Sequence, residues 1–242
     1  MAPEAPQVNR SAAGTISIVI PAWNAARYLE ETIRSVHGQD TAPMEILLAD
    51  DGSEDGGGDL AEALGCTVLR QEWKGPAAAR NLALARARGD LVLFLDADDL
   101  LEPHALSTLL APLAADEGLQ VAKAMALDFP SPDLSPDEVL RLRPRREPYA
   151  GLLSGCVLLR RSALEILGNF DETLTTGEGV DWLLRMGDRA VRSMQLPTVT
   201  VRRRLHRNNS GRRLRRDEYV SYAAILRRRR DGGSGPGNLQ NF

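Results

Sequence analysis

The strongest structural signal in this chain is the run Leu91-Val92-Leu93-Phe94-Leu95, followed directly by Asp96-Ala97-Asp98. Five consecutive apolar residues predict a strand that is buried on both faces of a parallel sheet. The two carboxylates then lie at the carboxyl end of that strand, where open α/β sheets bind ligands. Carboxylates suit Mg²⁺ or Mn²⁺, ions often held by one or two side chains together with substrate phosphates. The stretch therefore predicts a metal-bound diphosphate, and the alternative is an acidic turn that starts a helix near Asp99 and Pro103.

Composition indicates an ordinary globular protein. The chain has 242 residues, 43% of them hydrophobic, so a single large domain is the simplest expectation. No apolar stretch approaches the roughly 20 residues that cross a bilayer, and residues 1–14 lack the features of a signal peptide. We expect a disordered tail at 1–14 on a cytoplasmic protein. Cys66 and Cys156 are too few, and too apolar in context, for a disulfide framework or metal site, so we expect reduced core thiols.

Charge is concentrated at the end of the chain. Residues 202–230 carry twelve Arg against Asp217 and Glu218, so this segment is +10 in a chain of net charge −3. A basic end can attract nucleic acid, anionic lipid or phosphates, and the alternative is a solvated face. No motif supports sequence-specific binding, so we expect no nucleic-acid partner. Peripheral membrane contact through an Arg-rich helix at 211–230 stays open.

The first half of the chain alternates strand-like and helix-like segments, which predicts right-handed crossovers and a parallel sheet. The predicted strands are Thr15–Ile20, Glu45–Ala49, Thr67–Leu69, Leu91–Leu95 and Gln120–Asp128. The predicted helices are Arg27–His37, Leu60–Leu64, the segment from Gly75 to Arg88, and Pro103–Ala115.

The second half is less regular. Phe129–Pro148 contains five prolines, which predicts a flexible loop, either a lid or a mobile surface segment, with a short helix at Pro136–Arg143. Order returns with the remaining predicted elements: a strand at Leu152–Leu159, helices at Ser162–Leu167 and Val180–Ala190, and a strand pair at Val191–Val201 interrupted at Pro197. Residues 231–242 are predicted to be disordered.

Five blocks in fixed order give the chain a family resemblance from about Ser17 to Asn209. They are Ser17-Ile18-Val19-Ile20-Pro21-Ala22-Trp23-Asn24, Asp50-Asp51-Gly52-Ser53, Gly75-Pro76-Ala77-Ala78-Ala79-Arg80-Asn81, Asp96-Ala97-Asp98-Asp99 and Gly168-Asn169-Phe170-Asp171-Glu172. On these motifs the chain resembles the family-two glycosyltransferases of the GT-A fold. The resemblance implies a Rossmann-like α/β fold, a mostly parallel sheet flanked by helices with a small C-terminal acceptor-side region. One domain at 15–210 would divide into a nucleotide-sugar half (15–128), the loop at 129–150 and an acceptor half (151–210).

The resemblance also implies a nucleotide site. Pro21, Ala22 and Trp23 would line the base, with Trp23 as a stacking face, although a core-filling role for Trp23 is the alternative. Asp51 would accept a hydrogen bond from a base N–H. Arg80 would contact the diphosphate, or alternatively pair with a carboxylate.

The metal and sugar side of the implied site comes from two distant segments. Asp96 would contact the ribose, with Ala97 also lining the nucleotide, and Asp98 would bind Mn²⁺ or Mg²⁺. His206, within an Arg-rich stretch, would be a second metal ligand or a phosphate contact, and an exposed surface histidine is the alternative.

The implied catalytic base is the weak point of the resemblance. Similar chains carry Glu-Asp before a Trp- or Leu-rich helix, and that Asp is the base. Here the run is Gly177-Glu178-Gly179-Val180-Asp181-Trp182, so Gly179 stands where the Asp is expected. We expect Glu178 to act as the base, in a loop that precedes the helix, with Asp181 as the substitute or as a helix-end residue.

The activity that the resemblance implies is inverting, metal-dependent transfer of a sugar from a nucleotide diphosphate sugar, such as a UDP-sugar, to an acceptor hydroxyl. The acceptor could be a glycan, lipid, peptide or small molecule. Two alternatives stay open: a catalytically impaired nucleotide-sugar binding protein, suggested by Gly179, and a sugar-phosphate nucleotidyltransferase. The latter normally has a Gly-rich basic loop after its first strand, where this chain has Pro21-Ala22-Trp23-Asn24.

Overall fold

The computed structural model describes residues 14–174, 176–209, 223, 225–227 and 230. The tails expected at 1–14 and 231–242 therefore lie outside the described residues, apart from Gly14. The Arg-rich helix expected at 211–230 also lies largely outside them. Its described positions are helical, and Ile225 among them is buried.

The first half of the chain builds alternating strands and helices, as the pattern predicts. In chain order they are β1 (Ile16–Ala22), α1 (Ala26–His37), β2 (Glu45–Asp51), α2 (Gly57–Ala63), β3 (Thr67–Gln71), α3 (Pro76–Leu84), β4 (Leu91–Phe94), β5 (Leu100–Leu101) and α4 (Ala105–Ala115). Amphipathic spacing explains α1, which buries Leu29, Ile33 and Val36 against the sheet.

The second half contributes four strands, two short helices and one longer helix. They are β6 (Val121–Pro130), α5 (Pro136–Leu142), β7 (Tyr149–Ala150), β8 (Val157–Arg160), α6 (Arg161–Leu167), α7 (Glu178–Asp188) and β9 (Ser193–Leu205). Among the described residues, no helix combines the length and the apolar character needed to cross a membrane.

The strands form one sheet in the order β3-β2-β1-β4-β8-β6-β9-β5, with β7 paired to β6. This confirms the α/β fold class. The sheet is mixed: β3, β2, β1 and β4 are parallel, whereas β8 runs antiparallel to both β4 and β6. β8 is antiparallel because the connection from β6 does not cross the sheet. The chain leaves β6 at the carboxyl edge of the parallel strands and enters β8 at the same edge.

Two predicted strands differ from the observed ones. The strand predicted at Leu152–Leu159 begins only at Val157, because residues 154–156 form a turn in which Gly155 adopts a φ of 61°. Glycine is required there, since an added Cβ would lie 2.5 Å from Val201 Cγ2. The pair predicted around Pro197 is instead a continuous β9, and register shifts against β6 accommodate the proline.

The segment predicted as a loop at 129–150 is partly ordered. Ser135 and Glu138 form a capping box at the start of α5, and Arg207 contacts Glu138 Oε1 at 2.6 Å and Asp133 Oδ2 at 2.8 Å. The hydrogen bonds from Arg207, together with those at Ser135, lower the pKa of Glu138 to about 2. These contacts hold α5 against the turn that follows β9.

An aromatic cluster in the core joins the second half of the chain to β4. Phe170 packs edge-on against Phe94, with ring centroids 5.2 Å apart, and stacks on Trp182 at 5.1 Å. The Trp182 indole donates to the Gly168 carbonyl at 3.0 Å, so this fully buried ring has its polar partner. The cluster fixes the start of α7 beside the carboxyl end of β4.

The two cysteines are free and buried, which confirms the expectation of core thiols. Burial raises the pKa of Cys66 to about 11 and that of Cys156 to about 12, so both are protonated at neutral pH.

Candidate functional site

The acidic turn after β4 is held by a side chain from the loop before β8. The Asp96 N–H donates to Ser154 Oγ at 2.9 Å, and that hydroxyl donates to Asp99 Oδ2, also at 2.9 Å. Asp99 Oδ1 accepts from the Arg204 N–H at 3.0 Å. Burial and the charges of Asp98 and Asp96 raise the pKa of Asp99 well above its usual value. Asp99 therefore supports the turn and does not start a helix, since α4 begins only at Ala105.

The end of β9 brings His206 to Asp98. The two residues are 108 positions apart in sequence, yet His206 Nε2 lies 2.7 Å from Asp98 Oδ2. The ring is packed on Tyr28 with centroids 4.7 Å apart, and the His206 N–H donates to Asn209 Oδ1 at 2.6 Å. Asn209 Nδ2 donates to the Arg204 carbonyl at 3.0 Å and approaches Asp98 Oδ2 at 3.5 Å. The histidine is thus part of the site and not an exposed surface residue.

Asp98 and His206 offer an oxygen and a nitrogen donor that fit a divalent cation whose remaining ligands come from the substrate. In the part of the chain that the structure describes, no group of three or more His, Cys, Asp or Glu side chains could hold an ion. A carboxylate and an imidazole leave most coordination positions free, as expected where diphosphate oxygens supply the remaining ligands.

Arg80 lies inside the protein between two carboxylates. Its guanidinium donates to Glu178 Oε1 at 2.5 Å and to Asp96 Oδ1 at 2.9 Å, and it packs 5.7 Å from the Phe170 ring centre. Burial opposes the charged form, but Asp96 and Glu178 raise the pKa of Arg80. Of the two roles considered from sequence, the structure places Arg80 in a carboxylate pair. Arg80 Nε is buried and has no hydrogen-bond partner.

Asp51 organises the loop that precedes α3, on the side of the site where the nucleotide base is expected. Its Oδ1 accepts from Gln71 Nε2 at 2.7 Å and from the Lys74 N–H at 2.8 Å, and its Oδ2 accepts from the Gly75 N–H at 2.8 Å. Gly75 has a φ of 98° and precedes Pro76, which begins α3. Both oxygens of Asp51 therefore already fix this loop, a role that the sequence did not predict.

The residues expected to line the nucleotide base lie at the carboxyl end of β1. Trp23 is 47% exposed, so it does not fill the core, and Pro21 is half-buried. Ala22 and Ala97 are buried, and the Ala97 carbonyl accepts from Thr32 Oγ1 at 3.0 Å. The exposed indole is thus the accessible member of this group.

The residues expected to supply the catalytic base lie in the first turn of α7. Glu178 is the first residue of the helix, so it does not lie in the preceding loop as expected, and its side chain is turned inward to Arg80. Asp181 Oδ2 lies 3.0 Å from Arg185 Nε. Gly179, between them, has ordinary helical geometry, and a Cβ added there would lie 3.7 Å from Leu153 Cδ2.

Three supporting residues were not identified from sequence: Ser154, Arg204 and Asn209. Arg204 is buried and donates from Nε to the Asp98 carbonyl at 2.9 Å and from its second amino group to Glu31 Oε2 at 2.5 Å. The partners of Ser154 and Arg204 are far away in the chain, so no local pattern signals their role. The spacing of His206 and Asn209, which suits a tight turn, is the one clue available.

Comparison with known proteins assigns the family. The model of the family described as Glycosyl transferase family 2 matches residues 17–167. Glycosyltransferase GlyG of Streptococcus pneumoniae is 36% identical over 100 residues, covering 39% of this chain and 33% of that protein. GalNAc(5)-diNAcBac-PP-undecaprenol beta-1,3-glucosyltransferase of Campylobacter jejuni is 36% identical over 110 residues, covering 43% and 35%. The chain spans about a third of the length of the curated relatives it matches.

Solved structures show the same fold. Glucosyl-3-phosphoglycerate synthase from Mycobacterium tuberculosis, in complex with Mn²⁺, UDP and glucosyl-3-phosphoglycerate, superposes with a TM-score of 0.66 at 25% identity, covering 91% of this chain and 82% of that one. S. aureus TarS in complex with UDP gives a TM-score of 0.64 at 22% identity, covering 87% and 64%.

Proposed function

Because the chain belongs to glycosyl transferase family 2, we propose that it transfers a sugar from a nucleotide diphosphate sugar to an acceptor oxygen, with a divalent cation at Asp98 and His206. The observation that carries the proposal is the contact between Asp98 Oδ2 and His206 Nε2 at the carboxyl end of β4. We propose UDP as the nucleotide, because the similar M. tuberculosis structure contains UDP. Mn²⁺ is the preferred ion on the same ground.

Each part of the site has a chemical task in this proposal. A bound divalent ion would neutralise charge on the departing diphosphate, which is worth several kcal/mol in metal-ion catalysis. Asp98 and His206 would hold the ion, and Asp96, fixed by Arg80 and Ser154, would face the ribose. A single in-line displacement at the anomeric carbon gives inversion, which we propose by analogy with the family.

The nucleotide proposal is tested by thermal unfolding with UDP, GDP and CDP, each with and without Mn²⁺. A ligand present at a hundred times its dissociation constant stabilises the folded state by about 2.7 kcal/mol. We expect UDP with Mn²⁺ to raise the melting temperature more than UDP or Mn²⁺ alone. Equal shifts with and without the ion would contradict the metal assignment.

Trp23 offers a sharper test of where the base lies. Stacking of a base on an aromatic side chain is worth about 1–3 kcal/mol, so Trp23→Ala should weaken UDP binding by about 5- to 150-fold. Because the indole is half-exposed, the free energy of unfolding should change little.

Calorimetric titration with UDP and Mn²⁺ measures this loss. Met194→Ala is the matched control, since Met194 is 43% exposed and lies near the start of β9, away from the site edge. Equal UDP affinity in the wild type and in Trp23→Ala would remove Trp23 from the site.

A further inference from the structure

Position 179 faces the loop that supports the acidic turn. An added Cβ at Gly179 would make ordinary contact with Leu153, whose neighbour Ser154 holds both Asp96 and Asp99. Gly179 does not have a positive φ, so the backbone does not require glycine here. The fold thus has room for a side chain beside the site, and the chain supplies none.

The carboxylates on either side of Gly179 are engaged elsewhere. Glu178 is buried and bound to Arg80, which also binds Asp96, so moving it would break the bridge that holds the turn. Asp181 is paired with Arg185 one helical turn later. Both carboxylates are therefore held in ion pairs, Glu178 with Arg80 and Asp181 with Arg185.

Basic residues follow α5 at the same edge of the sheet. The Arg145 N–H donates to Asp128 Oδ2 at 2.9 Å, and Asp128 lies two residues before Pro130, which pairs with Leu205 next to His206. Arg143, Arg145 and Arg146 are all exposed, and the Arg145 guanidinium lies 4.1 Å from the Tyr149 ring centre. The Arg145 guanidinium, which this contact places at the edge, suits a phosphate-bearing acceptor.

From these observations we infer that the acceptor is a phosphate monoester, and this inference rests on the function proposed above. A phosphate monoester is mostly dianionic at neutral pH, because its second pKa is about 6. One of its oxygens can form the bond to the anomeric carbon while the bond from that carbon to the nucleotide diphosphate breaks. The electron pair leaves with the diphosphate, and no proton has to be removed. A hydroxyl acceptor would need the base that position 179 lacks.

Paired acceptors test this inference. The full chain is incubated with Mn²⁺ and UDP-glucose, UDP-N-acetylglucosamine or UDP-galactose, together with octyl phosphate or octanol, and products are identified by mass spectrometry. Since a positioned base contributes about 10²- to 10⁴-fold, we expect transfer to octyl phosphate to exceed transfer to octanol by at least 100-fold. The rate with octyl phosphate should rise with pH up to about 6 to 7 and then level off. Farnesyl phosphate in phosphatidylcholine vesicles then distinguishes a lipid-borne phosphate from a water-soluble one.

Restoring a carboxylate at position 179 gives the complementary test. Gly179→Asp should raise the octanol-to-octyl phosphate rate ratio by about 100-fold, whereas the isosteric Gly179→Asn should leave that ratio as in the wild type. Transfer to octanol as fast as to octyl phosphate in the wild type, or UDP release with no transfer to octyl phosphate, overturns the inference. Failure to bind UDP with Mn²⁺ would instead overturn the proposed function.

Discussion

Asp98→Ala should abolish both the Mn²⁺-dependent part of UDP binding and sugar transfer. The substitution removes the only carboxylate that contacts His206 among the described residues, and with it the point where a cation would be held next to the diphosphate. Losing several kcal/mol of charge stabilisation corresponds to a rate loss of about 10³-fold or more. The fold should survive, since the Asp98 side chain is partly exposed and the turn is held through Asp99 and Ser154.

The measurement is UDP release from a UDP-sugar together with the Mn²⁺-dependent thermal shift. Glu117→Ala is a suitable control, because Glu117 is an exposed carboxylate in the turn between α4 and the start of β6, at the edge of the sheet opposite the acidic turn. If Asp98→Ala keeps wild-type Mn²⁺-dependent binding, the cation is held elsewhere and the proposed site is wrong.

Arg80→Ala should lower the free energy of unfolding more than Asp98→Ala or Trp23→Ala. Removing one partner of a buried ion pair typically costs about 3–5 kcal/mol, and Arg80 serves both Asp96 and Glu178. Burial already raises the pKa of Asp96 above its usual value, and loss of Arg80 should raise it further. A carboxyl group whose pKa is raised by folding favours the folded state at low pH and disfavours it as pH increases. The loss should therefore be larger at pH 7 than at pH 4.

Denaturant unfolding at both pH values measures this effect. Arg34→Ala is the control for removal of an exposed arginine, because Arg34 is 70% exposed and pairs with the exposed Glu30 one helical turn away, and the expected cost is about 0.5 kcal/mol or less. A cost for Arg80→Ala as small as that of Arg34→Ala would show that the bridge does not hold the site together. Arg80→Lys keeps a charge but loses the fork of donors, so an intermediate loss is expected.

The fold was predictable where the pattern was local. The run at 91–95 is a buried strand whose hydrogen bonds pair it with β1 and β8, and the helices of the first half have their predicted positions to within a few residues. Hydrophobic period and the glycine and proline signals act over a few residues, so the chain states them directly. The prediction was less accurate after β6, where Gly155 and the bulge near Pro197 depend on what packs against them.

The site was predictable as a set of residue types but not as a set of contacts. Asp98 and His206 were both expected near a cation, and the structure brings them together. The state of Arg80 could not be read from its helix, because a guanidinium near a Gly-Pro loop can face a ligand or a carboxylate. Which of these occurs depends on Glu178, which is 98 residues away. Asp51 likewise holds a loop by accepting from the Lys74 and Gly75 N–H groups, and this role depends on where folding places that loop.

What the residues alone specify is an α/β chain with an acidic turn at the carboxyl end of a buried strand, since burial period and turn chemistry are short-range. What required folding is the pairing across long separations: His206 onto Asp98, and Glu178 onto Arg80 beside Asp96. A buried charge must find a partner, and that partner is chosen by which chain segments pack against it. For the same reason, the lack of a side chain at Gly179 can be interpreted only from the carboxylates and arginines that folding places around it.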